Sequence, residues 1–454
     1  MFRIVVRSKR DADAVKAMIS KFYPNWSIRV STLHGARTYE KALMVLEDVI
    51  NDEEFIIILL GREDRKLLLE LNRLKYPNVV FHLVPRARVR NARIEQLFHE
   101  LEVARSMFRT IVTWNEELKA YVFSRIGGEV LENLEPNPAY DVFLALGQDF
   151  INNLGRVIGL EIESIPVLVR KFGGDHDIYV GKDKLGVLRI PDKGISPSGY
   201  IIRRDYPRIS LSNIVSANEE VLNAFERISI KILENYRDWA QQVLVPWSGG
   251  KDSTVALLLA VKVFGKDKVK AIFCDTGLEF PFTIDYVDKI SRQLDVEVIR
   301  VYAGVDREII EKKAPLPTHD YRWCTGMKIE AIESKIRELA SDKHTLVVIG
   351  DRDAESEKRS IRPPIRILDE NLVYVAPLKM WSTAHVQLYL IRNNVPFNPL
   401  YLCGFYRIGC YICPALRSWE VYVMTRTKLI YEKLKDKPLF REFISLRESE
   451  DLKS

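Results

Sequence analysis

Residues 248–254 read Ser-Gly-Gly-Lys-Asp-Ser-Thr, between the apolar runs 243–247 and 255–260. A buried strand, a glycine turn and a helix start, in that order, build an anion cradle. Gly249 and Gly250 let the backbone bend tightly and bring its N–H groups to a ligand, while the following helix turns the positive end of its dipole to the same spot. The hydroxyls of Ser248, Ser253 and Thr254 add donors, Lys251 adds a charge, and Asp252 completes the string. The spacing is too short for the Gly-x-x-x-x-Gly-Lys-Ser/Thr phosphate loop. The cysteines form a second group with chemistry. Cys324, Cys403, Cys410 and Cys413 lie late in the chain, and Cys274 stands apart as a small filler at the end of an apolar strand. Cys410 and Cys413 form a Cys-x-x-Cys pair, which brings two thiolates to one metal ion or cluster, and Cys324 could supply a third from another loop.

The elements that must hold these residues follow from periodicity. From about residue 216 onward the pattern predicts helix 221–239, strand 243–247, helix 253–264, strand 269–274, helix 282–294 and strand 296–301. Helix 328–339, strands 345–349 and 372–375, and helix 383–392 follow. Repeated β-α-β units imply right-handed crossovers and an open parallel sheet covered on both faces, with ligands beyond the carboxyl ends of the strands. The Ser248 loop falls there.

Upstream, the apolar runs 2–6, 26–30, 54–60 and 78–83 alternate with amphipathic stretches 11–22, 38–50 and 64–74, predicting a small parallel α/β layer over residues 1–123. Residues 124–235 are of mixed character, with a β-hairpin over 177–190 and a Pro/Gly/Ser loop over 191–199. A domain with the phosphate loop over 236–420 and a C-terminal helix with a charged tail over 421–454 complete the division. At 454 residues the chain is long enough for about three domains. The balance of 47% hydrophobic and 29% charged residues is that of a soluble globular protein. Neither a membrane-spanning run nor a signal peptide is read in the sequence, so a cytoplasmic location is expected and a membrane partner is not. The net charge of +6 permits a nucleic-acid partner without arguing for one. The basic run 85–93, with four arginines, could meet phosphates or form a solvated face.

The Ser248 string matches the SGGxDS loop of the PP-loop ATP pyrophosphatase superfamily. Five further strings resemble its 3′-phosphoadenylyl-sulfate (PAPS) reductase family: Cys274-Asp275-Thr276-Gly277, Trp323-Cys324-Thr325-Gly326-Met327-Lys328, Gly350-Asp351-Arg352 with Arg359 beyond it, Pro377-Leu378-Lys379-Met380-Trp381-Ser382, and Asn398-Pro399 leading through Gly404 and Arg407-Ile408-Gly409-Cys410 to Cys413. The resemblance covers about residues 235–420. It implies the adenine-nucleotide alpha-hydrolase-like α/β fold, with ATP, adenylyl sulfate or PAPS bound by Ser248–Thr254, Asp275, Thr276, Gly277, Lys328, Gly350, Arg352 and Arg359. Lys251, Asp252 and Arg352 are the expected catalytic groups. The family commonly carries an arginine where this chain has Gly326. Adenylyl-sulfate reductases hold a [4Fe–4S] cluster with four thiolates, two from a Cys-Cys pair whose first place is Trp323 here. The expected ligands are therefore Cys324, Cys403, Cys410 and Cys413, or three of them with the fourth iron open, and Zn²⁺ is the alternative.

Two mechanisms stay open. Sulfonucleotide reductases attack sulfur with a cysteine near the C-terminus, and this chain has no cysteine after Cys413, so another thiol or a thiol-bearing partner would be needed. ATP-dependent thiolation of tRNA, with Mg²⁺ and a sulfur-donor protein, would use the same cradle with a three-cysteine cluster. A non-catalytic nucleotide-binding regulator is a third reading. The opening segment also faintly resembles a toprim domain, but Arg7-Ser8 and Gly61-Arg62-Glu63-Asp64 stand where that family places its glutamate and its Asp-x-Asp pair. It is therefore read as a structural or recognition module, and the middle region is compared with the PUA type.

Overall fold

The computed structural model describes residues 2–451. Strands β1 (Phe2–Val6), β2 (Ile28–Thr32), β3 (Phe55–Gly61) and β4 (Val79–Val84) form a parallel sheet in the order β2-β1-β3-β4. The run Phe55–Leu60 forms a strand buried on both faces. Ile57 and Leu59 join one apolar core, whereas Ile56, Ile58 and Leu60 join another on the opposite face.

The short strands β5 (Thr113–Asn115), β6 (Ala120–Val122) and β7 (Glu129–Val130) make a three-stranded antiparallel sheet. Strand β7 returns to pair with β5, so this small sheet spans the division expected at residue 123. Strands β8 (Asp141–Leu144), β9 (Val167–Arg170), β10 (Asp175–Tyr179), β11 (Lys184–Arg189) and β12 (Ser198–Ile201) form a five-stranded antiparallel sheet. Its β10–β11 pair is the expected hairpin.

The third part carries β13 (Gln242–Pro246), β14 (Val269–Asp275), β15 (Glu297–Tyr302), β16 (Thr345–Val348), β17 (Ile365–Ile367) and β18 (Leu372–Val375) in the order β15-β14-β13-β16-β18-β17. All neighbours are parallel except β17 on β18. This is the predicted open sheet, with the edge strand β17 added. Val243 and Val245 face one core and Leu244 the other. Because β13 has β14 on one side and β16 on the other, the chain changes direction at its carboxyl end, and the Ser248 loop leaves from there.

One connected set of buried apolar side chains runs from Phe2 to Phe443, so the parts pack on each other. Polar locks reinforce that packing. The Gln387 amide bonds both to the N–H of Leu144 (2.8 Å) and to its carbonyl (2.9 Å). His385 donates through Nε2 to the carbonyl of Phe123 (2.8 Å) and accepts the N–H of Ser382 on Nδ1 (3.0 Å). Burial pushes the His385 imidazole down to about 4, which keeps it in the neutral form that this arrangement requires. Lys379 pairs with Asp353 (2.8 Å), Arg105 holds the same carboxylate, and all three side chains are buried. The last helix, Pro438–Asp451, returns to the body through Arg447, which donates to the carbonyls of Leu416 (2.8 Å) and Gly194 (2.9 Å). No helix among the described residues is long and apolar enough to cross a membrane.

Candidate nucleotide site and thiol group

Helix Lys251–Phe264 starts directly after the glycines, with Gly250 as its N-cap residue. Gly249 has φ +69°, in the left-handed region that glycine enters freely, and a Cβ there would come within 3.1 Å of Thr283. The bend is fixed from inside. The Trp247 indole donates to Thr254 Oγ1 (2.9 Å), and that hydroxyl donates to the carbonyl of Gly250 (2.8 Å). The Lys251 N–H is taken by the Tyr401 hydroxyl (3.1 Å). Among the described residues, the amides of Gly249, Gly250, Asp252 and Ser253 meet no protein acceptor. Ser248 is exposed at the mouth, 3.3 Å from the Ser253 hydroxyl. Unpartnered amides at a helix start are the kind of donors that take an anion. Gly350 crosses closely behind: a Cβ there would lie 2.7 Å from the Asp252 carbonyl carbon.

The three residues expected to be catalytic lie together, and two of them are buried among protein partners. Lys251 is only 5% exposed, with its ammonium 2.9 Å from Asp252 and 3.4 Å from the carbonyl of Tyr406. Arg352 is 2% exposed, and every nitrogen of its guanidinium is engaged. Nε bonds to Asp252 (2.5 Å), Nη1 to Asp141 (3.1 Å) and the carbonyl of Trp381 (3.3 Å), and Nη2 to Thr383 (2.8 Å). Burial opposes charge on Asp141, but Arg352 prevails and holds that carboxyl far below the usual range. Arg352 thus clamps Asp252 under the loop with every guanidinium nitrogen already bonded to protein, an arrangement that suits positioning more than the expected fork on a phosphate. Arg359 is spent on Glu355 and on Asp351 (3.4 Å). Asp141, from the middle sheet, was not legible as a partner because it lies 211 residues from Arg352.

On the other side of β13, Asp275 ends β14 half-buried and accepts the N–H of Gly277 (2.8 Å). Thr276 is turned inward, donating to Glu279 (3.1 Å). Lys328 reaches the same carboxylate (3.4 Å), which places it with the thiols rather than at the Ser248 loop. Although burial opposes it, Glu279 with Cys274 and Cys410 holds the Lys328 ammonium above its ordinary range.

Residues Glu279 and Cys410 form an antiparallel bridge, and Tyr411 donates to the carbonyl of Leu278 (3.0 Å), so the Cys-x-x-Cys loop is docked on the loop after β14. The Cys410 and Cys413 thiols interact as a hydrogen-bonded pair. The bond from Cys410 brings the Cys413 thiol down to about 6 and raises Cys410. Gly409 lets the sulfur come close, since a Cβ there would lie 3.2 Å from Cys413 Sγ. Cys324 stands near Cys413, and burial first, then that neighbour, pushes its thiol up. Cys403 is placed elsewhere: its Sγ lies 4.0 Å from Asp149. Burial pushes its thiol up to about 12. Cys403 therefore stands apart from the other three cysteines of the expected ligand set. Among the described residues no set of three or more His, Cys, Asp and Glu side chains is gathered around one ion-sized position. Thiols of the Cys324, Cys410 and Cys413 kind are the donors that iron–sulfur clusters and structural Zn²⁺ take.

An open parallel sheet with an anion-binding turn at its switch point, and a cysteine loop docked beside it, defines the class. A family model described as the phosphoadenosine phosphosulfate reductase domain matches residues 242–416. An adenosine 5′-phosphosulfate reductase of Mycobacterium tuberculosis is 30% identical over 188 residues, covering 40% of this chain and 70% of that one. The chain belongs to the phosphoadenosine phosphosulfate reductase family. Two uncharacterized proteins of Methanocaldococcus jannaschii are 37% and 33% identical over 228 and 235 residues. Those matches cover 49% and 50% of this chain, and 46% and 55%, about half, of the relatives' own length. The crystal structure of phosphoadenylyl-sulfate reductase from Candida auris in a phosphate complex is 21% identical, with a TM-score of 0.33, covering 45% of this chain and 98% of that one.

Proposed function

We propose that this chain is an enzyme of sulfur metabolism that seats the phosphates of an adenine nucleotide on the Ser248–Thr254 loop and reduces adenylyl sulfate or PAPS. The observation that carries the reading is the set of four unpartnered amides at the start of helix Lys251–Phe264, beside a docked thiol loop. Those amides would take the charge that develops on the phosphate when its bond to sulfur breaks, with no reorganisation of the loop. The buried Lys251–Asp252–Arg352–Asp141 network keeps them aimed. Asp275, at the neighbouring strand end, is placed to accept from ribose hydroxyls or to help hold Mg²⁺ that arrives with a nucleotide. Cys324, Cys410 and Cys413 would hold a [4Fe–4S] cluster, with Zn²⁺ as the alternative occupant, and the cluster when bound would supply redox or Lewis-acid capacity.

The second reading, adenylation and thiolation of tRNA with ATP and a sulfur-donor protein, is favoured by one observation. Cys324 stands near the Cys410–Cys413 pair while Cys403 faces Asp149, leaving three thiols beside the loop after β14, the number that the three-cysteine cluster of that reading takes. Incubation with adenylyl sulfate, PAPS, or ATP plus tRNA separates the two. Sulfite from either sulfonucleotide in the presence of a reduced thiol protein is the expected product. Pyrophosphate released from ATP only when tRNA is present would replace reduction with thiolation. Absence of both products with a loaded cluster would favour a regulator.

A further inference from the structure

The N-terminal sheet has a switch point of its own. β1 is paired with β2 on one side and β3 on the other, all parallel, so a crevice opens at its carboxyl end, where open sheets of this kind seat ligands. A cleft of about 330 Å³ lies there, lined by Arg7, Ser8, Lys9 and Arg10 after β1, Arg37 after β2 and Arg90 after β4. None of the described residues that line it is acidic. Carboxylates behind the cleft satisfy part of this charge: Arg7 pairs with Asp64 (2.5 Å), Arg90 with Asp11 (3.4 Å), and neighbouring Arg88 with Glu63 (2.8 Å). Lys9, Arg10 and Arg37 are exposed, and none of them takes part in an ion pair among the described residues.

Arg7 supplies the second observation. It is 6% exposed, yet only its Nη1 has a partner, Asp64; Nε and Nη2 meet no acceptor among the described residues. A guanidinium edge that no protein acceptor fills, open on the wall of a cleft, is placed to donate to an oxyanion. Ser8 turns its hydroxyl to Asp11 (2.5 Å) and leaves the first amides of helix Lys9–Phe22 uncapped, so the positive end of that helix faces the same space.

The geometry points to a second anion site in this cleft, separate from the Ser248 loop, that binds a phosphate group. The planar forks of Arg7, Arg10 and Arg37 suit its tetrahedral oxygens, and the absence of lining carboxylates speaks for an anion rather than a metal ion. The same group is carried by free phosphate and by an RNA backbone, and both serve as probes. Inorganic phosphate and a short 5′-phosphorylated RNA are titrated into the full chain and into the double variant Arg10→Glu/Arg37→Glu. Both substituted residues are exposed and unpaired, so the variant is expected to keep the melting temperature of the parent. Binding at least tenfold weaker in the variant is expected. A loss for both probes assigns the site to the phosphate group itself, and a loss for RNA alone assigns it to the backbone of the polymer. Equal binding of both probes to the two proteins, or no binding to the parent, would overturn the site. ATP affinity is measured in the same samples and is expected to be unchanged, which keeps a failure here distinct from a failure at the Ser248 loop.

Discussion

Replacing Arg352 with alanine is expected to destabilise the fold by about 3–5 kcal/mol, because it strands the buried Asp141 carboxylate and takes one of two cations from Asp252. Asp252 would keep Lys251 (2.9 Å), but Asp141 would keep only neutral donors, the N–H of Val142 (2.9 Å) and the N–H (3.0 Å) and hydroxyl (2.7 Å) of Thr383. Breaking a buried pair by removing one partner is expensive because the remaining charge cannot return to water. Asp252→Ala should behave in the same sense, through Arg352, and not as a clean binding defect. Arg359→Ala is the contrast: its side chain is 39% exposed, and its loss should cost under about 1 kcal/mol. Urea unfolding of the three variants reads the difference. An Arg352→Ala protein with the parent's midpoint and weakened nucleotide affinity would contradict the positioning role and restore a direct contact with ligand.

The second large effect concerns the thiols. Anaerobically purified protein should carry about four irons and as many sulfides per chain, and Cys410→Ser or Cys413→Ser should remove nearly all of both. Cys403→Ser should leave the content unchanged, because its thiol faces Asp149 and not the other three. Metal and sulfide analysis with the visible spectrum decides it. A colourless protein containing zinc alone would put Zn²⁺ in that place. Loss of iron in Cys403→Ser would return Cys403 to the ligand set.

The parallel strands of both sheets were legible because each is a short apolar run, and the Ser248 loop because its chemistry is local. What spacing does not carry is which way a side chain faces after the chain has folded back. Cys403 lies as close in sequence to Cys410 as a ligand needs, yet it ends the helix Pro399–Cys403 on the side of the middle region. Arg352 looks like an anion clamp beside Gly350 until Asp141 arrives from β8 to occupy it. Strand β17 was missed because it follows two prolines and leaves Ile367 73% exposed, giving no buried pattern. The toprim-like opening shows the same limit: the two expected acidic places are joined here by the Arg7–Asp64 pair.

The most direct measurement is a crystal structure of the full chain grown with adenylyl sulfate or an ATP analogue. The account predicts phosphate oxygens within hydrogen-bond distance of the amides of Gly249, Gly250, Asp252 and Ser253, with Arg352 still bound to Asp252 and Asp141. A ligand seated elsewhere, with those four amides bare, would contradict it.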